Sequence, residues 1–161
     1  MDINAIGNII KQERTACGLS QRTLAEAAHI SRVTLVNLEN GKVGDIGAVK
    51  LAHIAEHVGL TLFSTTQSPD FLTLLVNNMN TSYKTMLTLP ALENMLLNGE
   101  IMPGHEGQVL HLLDEAPTPL VIGAVKQLAA KHKVSAKVIW KTLGAIAVRF
   151  QSPSPFWSHF G

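Results

Sequence analysis

Two groups of side chains in this 161-residue chain have types and spacing suited to chemistry. In the first, Arg32, Val33, Thr34 and Asn37 sit close together between Ser31 and Asn40. A guanidinium carries parallel donors that match guanine O6 and N7, an asparagine amide matches adenine N6 and N7, and a valine methyl suits the methyl group of thymine. In the second, His53-Ile-Ala-Glu56-His57 spells the H-x-x-E-H arrangement of inverted zinc peptidases. There a helix brings two imidazoles to a metal ion and the glutamate acts as base. Which chemistry applies depends on the elements that carry each group.

Ser20 precedes a run with Leu24, Ala25 and Ala28 on one helical face, and Ser31 precedes a run with Leu35 and Leu38 on one face. Both serines stand where an N-cap belongs. Asn40-Gly41 then closes the second run, since glycine enters the left-handed region at little steric cost. The spacing thus predicts two short helices joined by a tight turn, the layout of a helix-turn-helix. Ahead of them, Ile3, Ile6, Ile9 and Ile10 predict an amphipathic helix up to Cys17, stopped by Gly18. A fourth helix is expected from about Asp45 or Ile46, with Val49, Leu51, Ala52, Ile54, Ala55 and Val58 apolar and Gly59 as its end.

Leu19-Ser20-Gln21, Leu24-Ala25, Ile30-Ser31-Arg32, Thr34-Leu35 and Leu38-Glu39-Asn40-Gly41-Lys42 resemble the Xre/Cro-like repressor family. The flanks from Ile6 to Gly59 fit its four leading helices. The resemblance implies a lambda-repressor-like DNA-binding domain whose second short helix enters the major groove. Ser31 is then a DNA-contacting residue as well as a cap, and Arg32, Val33, Thr34 and Asn37 face base edges, while Leu35 and Leu38 face the core. Gln21 and Arg22 open the preceding helix, and Asn40 and Lys42 follow the recognition helix, so both pairs suit phosphate contacts. Gln21, Asn40 and Lys42 match positions that make such contacts in the family. One departure is His29, which stands where the family usually has a turn glycine. Histidine tolerates the left-handed region better than most residues, so the turn is expected to survive; a pH-sensitive or phosphate-contacting role at His29 is the alternative.

In this setting the His53, Glu56 and His57 group falls within the fourth helix and lacks a third ligand at telling spacing, so it reads as polar surface. His105, His111, His132 and His159 form no ligand pattern either. No phosphate-binding glycine loop, nucleophile elbow or catalytic carboxylate pair is visible. The expectation is therefore no enzyme, no metal and no cofactor. Cys17, the single cysteine, is expected to be a small core residue at the end of the first helix.

The apolar fraction of 46% suffices for a core, and the net charge of +1 by itself names no partner. The charge is unevenly placed. Lys84 faces Asp70, Glu93, Glu100, Glu106, Asp114 and Glu115 in the middle of the chain, whereas Lys126, Lys131, Lys133, Lys137, Lys141 and Arg149 follow Ala116 with no acid among them. Either the acidic middle packs beside the basic end, or the basic end is an additional phosphate-binding face; the first is the simpler. No apolar run is long enough to span a bilayer, and the N-terminus lacks a signal-peptide pattern, so a cytoplasmic protein without membrane contact is expected.

Leu60 to Thr66 alternates apolar and polar residues and is rich in threonine, which predicts a short strand. With no second strand in the chain, the expected partner is the same strand of another copy, giving a homodimer suited to a palindromic site. Prolines at 69, 90, 103, 117 and 119 then divide the rest into helical pieces. These are expected over Phe71 to Asn77, after Thr88-Leu-Pro90, over Gly104 to Glu115, from Thr118-Pro119 to about Lys131, and from Ser135 onward. The expected organisation is mainly α: residues 1–66 as the DNA-binding domain with its dimerising strand, 67–149 as a small helical bundle, and 150–161 as an aromatic tail.

Leu128 to Trp140 echoes Leu24 to Val36, with leucine, alanine, aliphatic, serine and aliphatic residues at equal offsets. A second hairpin of this kind follows. Thr142 in place of a buried leucine and the missing Glu-Asn-Gly ending favour a hairpin without DNA contact, while its lysines keep such contact open. In the tail, Phe156, Trp157 and Phe160 follow a Ser/Pro spacer; they either fold back on the bundle or anchor a partner. The sequence thus predicts a regulator that binds double-stranded DNA and represses by occupying a promoter. Its second half either binds a protein, as in an antitoxin that silences a toxin partner and regulates its own operon, or senses a small ligand.

Overall fold

The structure is a computed structural model that describes residues 3–60 and 69–161. Among these residues it holds nine α-helices: α1 (Ile3–Ala16), α2 (Gln21–Ala27), α3 (Arg32–Glu39), α4 (Ala48–Glu56), α5 (Phe71–Asn80), α6 (Leu89–Asn98), α7 (Glu106–Asp114), α8 (Thr118–His132) and α9 (Ala136–Arg149). A 3₁₀ turn, Pro155–His159, ends the tail. The chain is mainly helical, and no strand occurs among the described residues. The expected strand over 60–66 lies, apart from Leu60, outside them.

Local chemistry sets most helix starts. Ser20 accepts from the Thr23 N–H, Ser31 from Thr34, Asp70 from Thr73 and Thr88 from Ala91, each satisfying a donor of the first turn that has no partner within the helix. Several boundaries differ from expectation: α5 runs on from Asn77 to Asn80 and α7 begins at Glu106 rather than Gly104, and the starts of α4 and α8 move for local reasons. The Asp45 carboxylate accepts the Gly47 N–H at 3.0 Å, and Gly47 has φ +71°. That turn delays α4 to Ala48. Pro117, not Thr118, precedes α8, so the Thr118 hydroxyl lies inside the first turn and caps nothing.

The buried apolar side chains form one continuous cluster from Ile6 to Trp157. Helices α1 and α2 each pack on α3 at one end, and α5 lies along α8 in the middle. At Gly7 an added Cβ would lie 2.1 Å from the Leu38 carbonyl oxygen, so α1 and α3 approach as closely as glycine permits.

The α8–α9 hairpin docks on the corner between α1 and α2. Trp140, buried in α9, donates its indole N–H to the Cys17 carbonyl at 2.7 Å, and Ala136 packs against Gly18. Lys126 of α8 bonds Glu13 of α1. Burial, with smaller and opposing influences from Lys126 and Glu13, raises the Cys17 thiol to about 11. Charge pairing between the acidic middle and the basic end occurs at Glu93, whose carboxylate accepts from Lys131 at 2.5 Å and from His132 at 3.1 Å.

The tail folds back. Phe160 stacks on Trp140 with centroids 4.8 Å apart, and Phe156 meets the same indole edge-on at 5.8 Å. Trp157 is buried and donates its indole N–H to the Leu113 carbonyl at 2.8 Å. His159 bonds Glu26 of α2. Of the three rings considered as a partner anchor, Trp157 is thus enclosed by its own chain, and Phe156 and Phe160 are half-buried against Trp140.

Candidate nucleic-acid interface

Helix α3 carries Arg32, Val33, Thr34 and Asn37. Leu35, Leu38 and Glu39 are buried, which turns Arg32 and Val33 outward, and Val33 is 68% exposed. Thr34 and Asn37 are half-buried on the flanks of that outward strip. Ser31 holds the helix start: its Oγ accepts from the Thr34 N–H at 3.0 Å and shares a hydrogen bond with Thr34 Oγ1 at 2.8 Å. The Thr34 hydroxyl is therefore engaged with the cap, and the outward donors and acceptors are those of Arg32 and Asn37.

A buried ionic tie holds α3 in place. The Arg14 guanidinium grips the Glu39 carboxylate through Nε at 2.7 Å and Nη2 at 3.0 Å, and its Nη1 donates to the Leu19 carbonyl at 2.7 Å. The Glu39 side chain is fully buried. Its Oε2 also accepts from Gln21 Nε2 at 2.9 Å. One carboxylate thus fastens α1, the start of α2 and the end of α3 together, which fixes where α3 projects. Such a two-pronged, desolvated pair is geometrically demanding and sets position more than net stability.

Gln21 is therefore half-buried with its amide directed to Glu39, leaving one N–H for an outside acceptor. Arg22 is exposed and pairs with Glu26 at 3.1 Å, one turn on. Asn40 and Lys42 are exposed just past α3, and the Lys42 N–H closes the helix end on the Asn37 carbonyl at 2.8 Å. His29 adopts φ +53°, the left-handed turn conformation, with an exposed side chain.

Sequence spacing alone does not pair Arg14 with Glu39. A signal was present: Glu39 lies four residues after Leu35, on the buried stripe of α3, and an acid on such a stripe needs a cation.

The histidine group on α4 is arranged differently from a metal site. His57 is buried, and its Nδ1 donates to the His53 carbonyl at 2.8 Å. Burial, partly opposed by that hydrogen bond, lowers its basicity. Among the described residues no cluster of histidine, cysteine and acidic side chains has the geometry to hold an ion. Also among them, no helix is long and apolar enough to cross a membrane.

An open cleft of about 620 Å³ separates the start of α2 from α9 and the tail, lined among others by Ser20, Thr23, Lys137, Trp140, Lys141 and Phe160.

Comparison with known proteins agrees with this geometry in one segment. The Helix-turn-helix family model matches residues 10–62, a span that takes in α2, α3 and α4. No curated protein and no solved structure matches the chain. Residues 10–62 are a helix-turn-helix of the Xre/lambda-repressor-like kind, the DNA-binding domain of transcriptional regulators.

Proposed function

We propose that this protein is a sequence-specific repressor that binds a two-fold symmetric DNA site as a homodimer. The observation that carries this reading is the outward strip of α3, with Arg32 and Val33 free on a helix that Ser31 caps and the Arg14–Glu39 pair anchors. A base-reading helix needs this combination of rigid mounting and unengaged side chains. Arg32 and Asn37 form the base contacts, Val33 the apolar one, and Thr34 borders them over Ser31. Arg22, Asn40, Lys42 and the remaining Gln21 N–H hold phosphates. Occupying the promoter suffices for repression, and no catalytic step is involved.

Dimerisation through residues 60–66 rests on the alternating apolar and polar pattern of that segment; α4, which leads into it, exposes Val49 beside charged and polar neighbours. The tail rings that suggested a toxin partner are packed against Trp140 and Leu113. Trp157 is buried and Phe156 and Phe160 are half-buried, so the tail rings lend the antitoxin reading no free anchor, and operator occupancy alone suffices for repression. A small-ligand sensor is the second reading, favoured by the open cleft beside α2.

Footprinting the DNA upstream of the gene at a stated salt concentration tests the proposal. Wild type protects a symmetric site, and the Arg32→Ala/Asn37→Ala pair loses that protection while keeping its fold. Equal, weak and sequence-independent protection by both proteins would overturn it.

A further inference from the structure

The α8–α9 hairpin repeats the α2–α3 hairpin in three dimensions. Lys133 stands in the register of His29, and the two share the same left-handed turn, φ +54° and +53°. The N–H of Val134 bonds the Ala129 carbonyl at 3.1 Å, as Ile30 bonds Ala25 at 2.9 Å. Ser135 caps α9 with φ −69° and ψ 133°, and Ser31 caps α3 with φ −69° and ψ 144°. In this register Lys137 takes the place of Val33 and Lys141 the place of Asn37. The outward strip of the second hairpin thus carries ammonium groups where the first carries base-reading groups.

The position of that strip gives it a target. Lys137 and Lys141 line the same open cleft as Ser20 and Thr23 at the start of α2, and the Lys137 backbone lies against Gly18. In a helix-turn-helix the first helix of the pair meets the DNA backbone, so this side of the molecule faces the duplex just outside the half-site. Other charged side chains lining the cleft are already matched, Arg14 by Glu39 and His159 by Glu26. Among the described residues Lys137 and Lys141 have no carboxylate partner and are exposed. A planar base edge selects for amide or guanidinium groups, whereas a lysine is a flexible point charge that suits phosphate.

We propose that α9 is a second DNA-contacting element, in which Lys137 and Lys141 bind backbone phosphates flanking the half-site read by α3. This inference rests on the DNA-binding reading above. It extends the footprint without adding base specificity, because phosphate contacts fix register and carry no sequence information.

The test compares wild type, Lys137→Gln/Lys141→Gln, the charge-matched Lys84→Gln/Arg149→Gln, and Arg32→Ala/Asn37→Ala. Each is titrated with the footprinted duplex and with a duplex trimmed to the half-sites, over a range of salt. Both lysines are exposed, so the first variant should melt as wild type does. Its plot of log affinity against log salt should be shallower by about 0.9 for each lost contact, close to 1.8 per protomer. On the trimmed duplex it should bind as wild type does, and the Lys84/Arg149 variant should follow wild type on both. An unchanged slope for Lys137→Gln/Lys141→Gln, or an equal change in the charge-matched pair, overturns the inference while leaving the repressor reading intact. Should Arg32→Ala/Asn37→Ala bind the full duplex as well as wild type, the repressor reading fails and this inference with it.

Discussion

At residue 29 and again at residue 133 a left-handed residue turns one helix into the next, and two residues later a serine caps the new helix. What surrounds the two turns differs. In the first hairpin, the residue after the cap is Arg32, exposed; in the second it is Ala136, buried on Gly18. Near the end of α3 stands Glu39, held by Arg14 and Gln21, while the same register in α9 holds Leu143, which is fully buried. The first hairpin is tied by ions and keeps its face free, whereas the second is glued by apolar contacts and docks much of its face inside the molecule. A shared turn therefore sets the hairpin, and the few residues around it set how much of its second helix stays outward: the Arg32–Val33 strip on α3 and the Lys137–Lys141 strip on α9.

The widest separation between the two hairpins is expected at Glu39 and Leu143. Glu39→Ala leaves the Arg14 guanidinium desolvated and unpaired, which costs about 3 to 5 kcal/mol. Leu143→Ala costs about 2 to 5 kcal/mol through lost transfer energy and a cavity. The two differ in how they are rescued. Arg14→Met combined with Glu39→Leu should recover most of the loss, because an apolar pair of similar volume replaces a buried ion pair at little cost. Urea denaturation of the four proteins measures this, and a double variant no more stable than Glu39→Ala would show that the Gln21 and Leu19 hydrogen bonds dominate.

The caps come next. Ser31 Oγ has two partners, the Thr34 N–H at 3.0 Å and its hydroxyl at 2.8 Å, whereas Ser135 Oγ meets the Lys137 N–H at 3.3 Å. Ser31→Ala should lower stability by about 1 kcal/mol and Ser135→Ala by roughly half of that. Equal losses in denaturant titrations would mean that docking, not the cap, holds both helix starts.

These elements also show what a sequence discloses. The caps at Ser20 and Ser31 and the five helices after Pro69 are set by neighbours in the chain, and side-chain type reveals them. The outward phase of Arg32 and Val33 follows likewise from the helical period of Leu35 and Leu38. Where partners lie far apart the sequence shows at most that a partner is needed, not which residue supplies it. Arg14 and Glu39 are 25 residues apart, and Trp140 reaches Cys17 across 123. The start of α4 departs from the apolar spacing for a subtler local reason, since an aspartate that bonds the glycine two residues on makes a turn where that spacing suggests a helix.

The turn residues offer a smaller contrast. A non-glycine residue in the left-handed region is strained by about 1 to 2 kcal/mol, and replacing it by glycine returns part of that to unfolded-chain entropy. His29→Gly and Lys133→Gly should each stabilise the chain by roughly 0.5 kcal/mol. Because the turn is the feature that the hairpins share, the gains should match. A gain at one and a loss at the other, read from denaturant midpoints, would mean that one side chain has a folded-state contact that outweighs its strain.

The smallest effect concerns the link between the two regions. His159 in the tail and Arg22 on α2 both hydrogen-bond Glu26, and these bonds hold its carboxyl below its ordinary value of 4.5. A carboxylate with a depressed folded-state value contributes stability that is present above about 4.5 and is lost as pH falls through the folded value. Buried His57 acts over a different range: its folded value lies below 6.5, so the unfolded chain takes up its proton first and stability declines as pH falls below 6.5. The two can be separated by substitution. Glu26→Gln should flatten only the part of the stability profile below about pH 4.5, and His57→Gln only the part between 6.5 and the lowered histidine value. Glu26 is exposed, so its share is modest, and tail docking should persist in Glu26→Gln through Phe160 on Trp140 and Trp157 on Leu113. Tryptophan fluorescence followed along the same pH series reports that docking directly. A red shift in Glu26→Gln at neutral pH would show that the His159 bond, and not the aromatic cluster, keeps the tail on the helix-turn-helix.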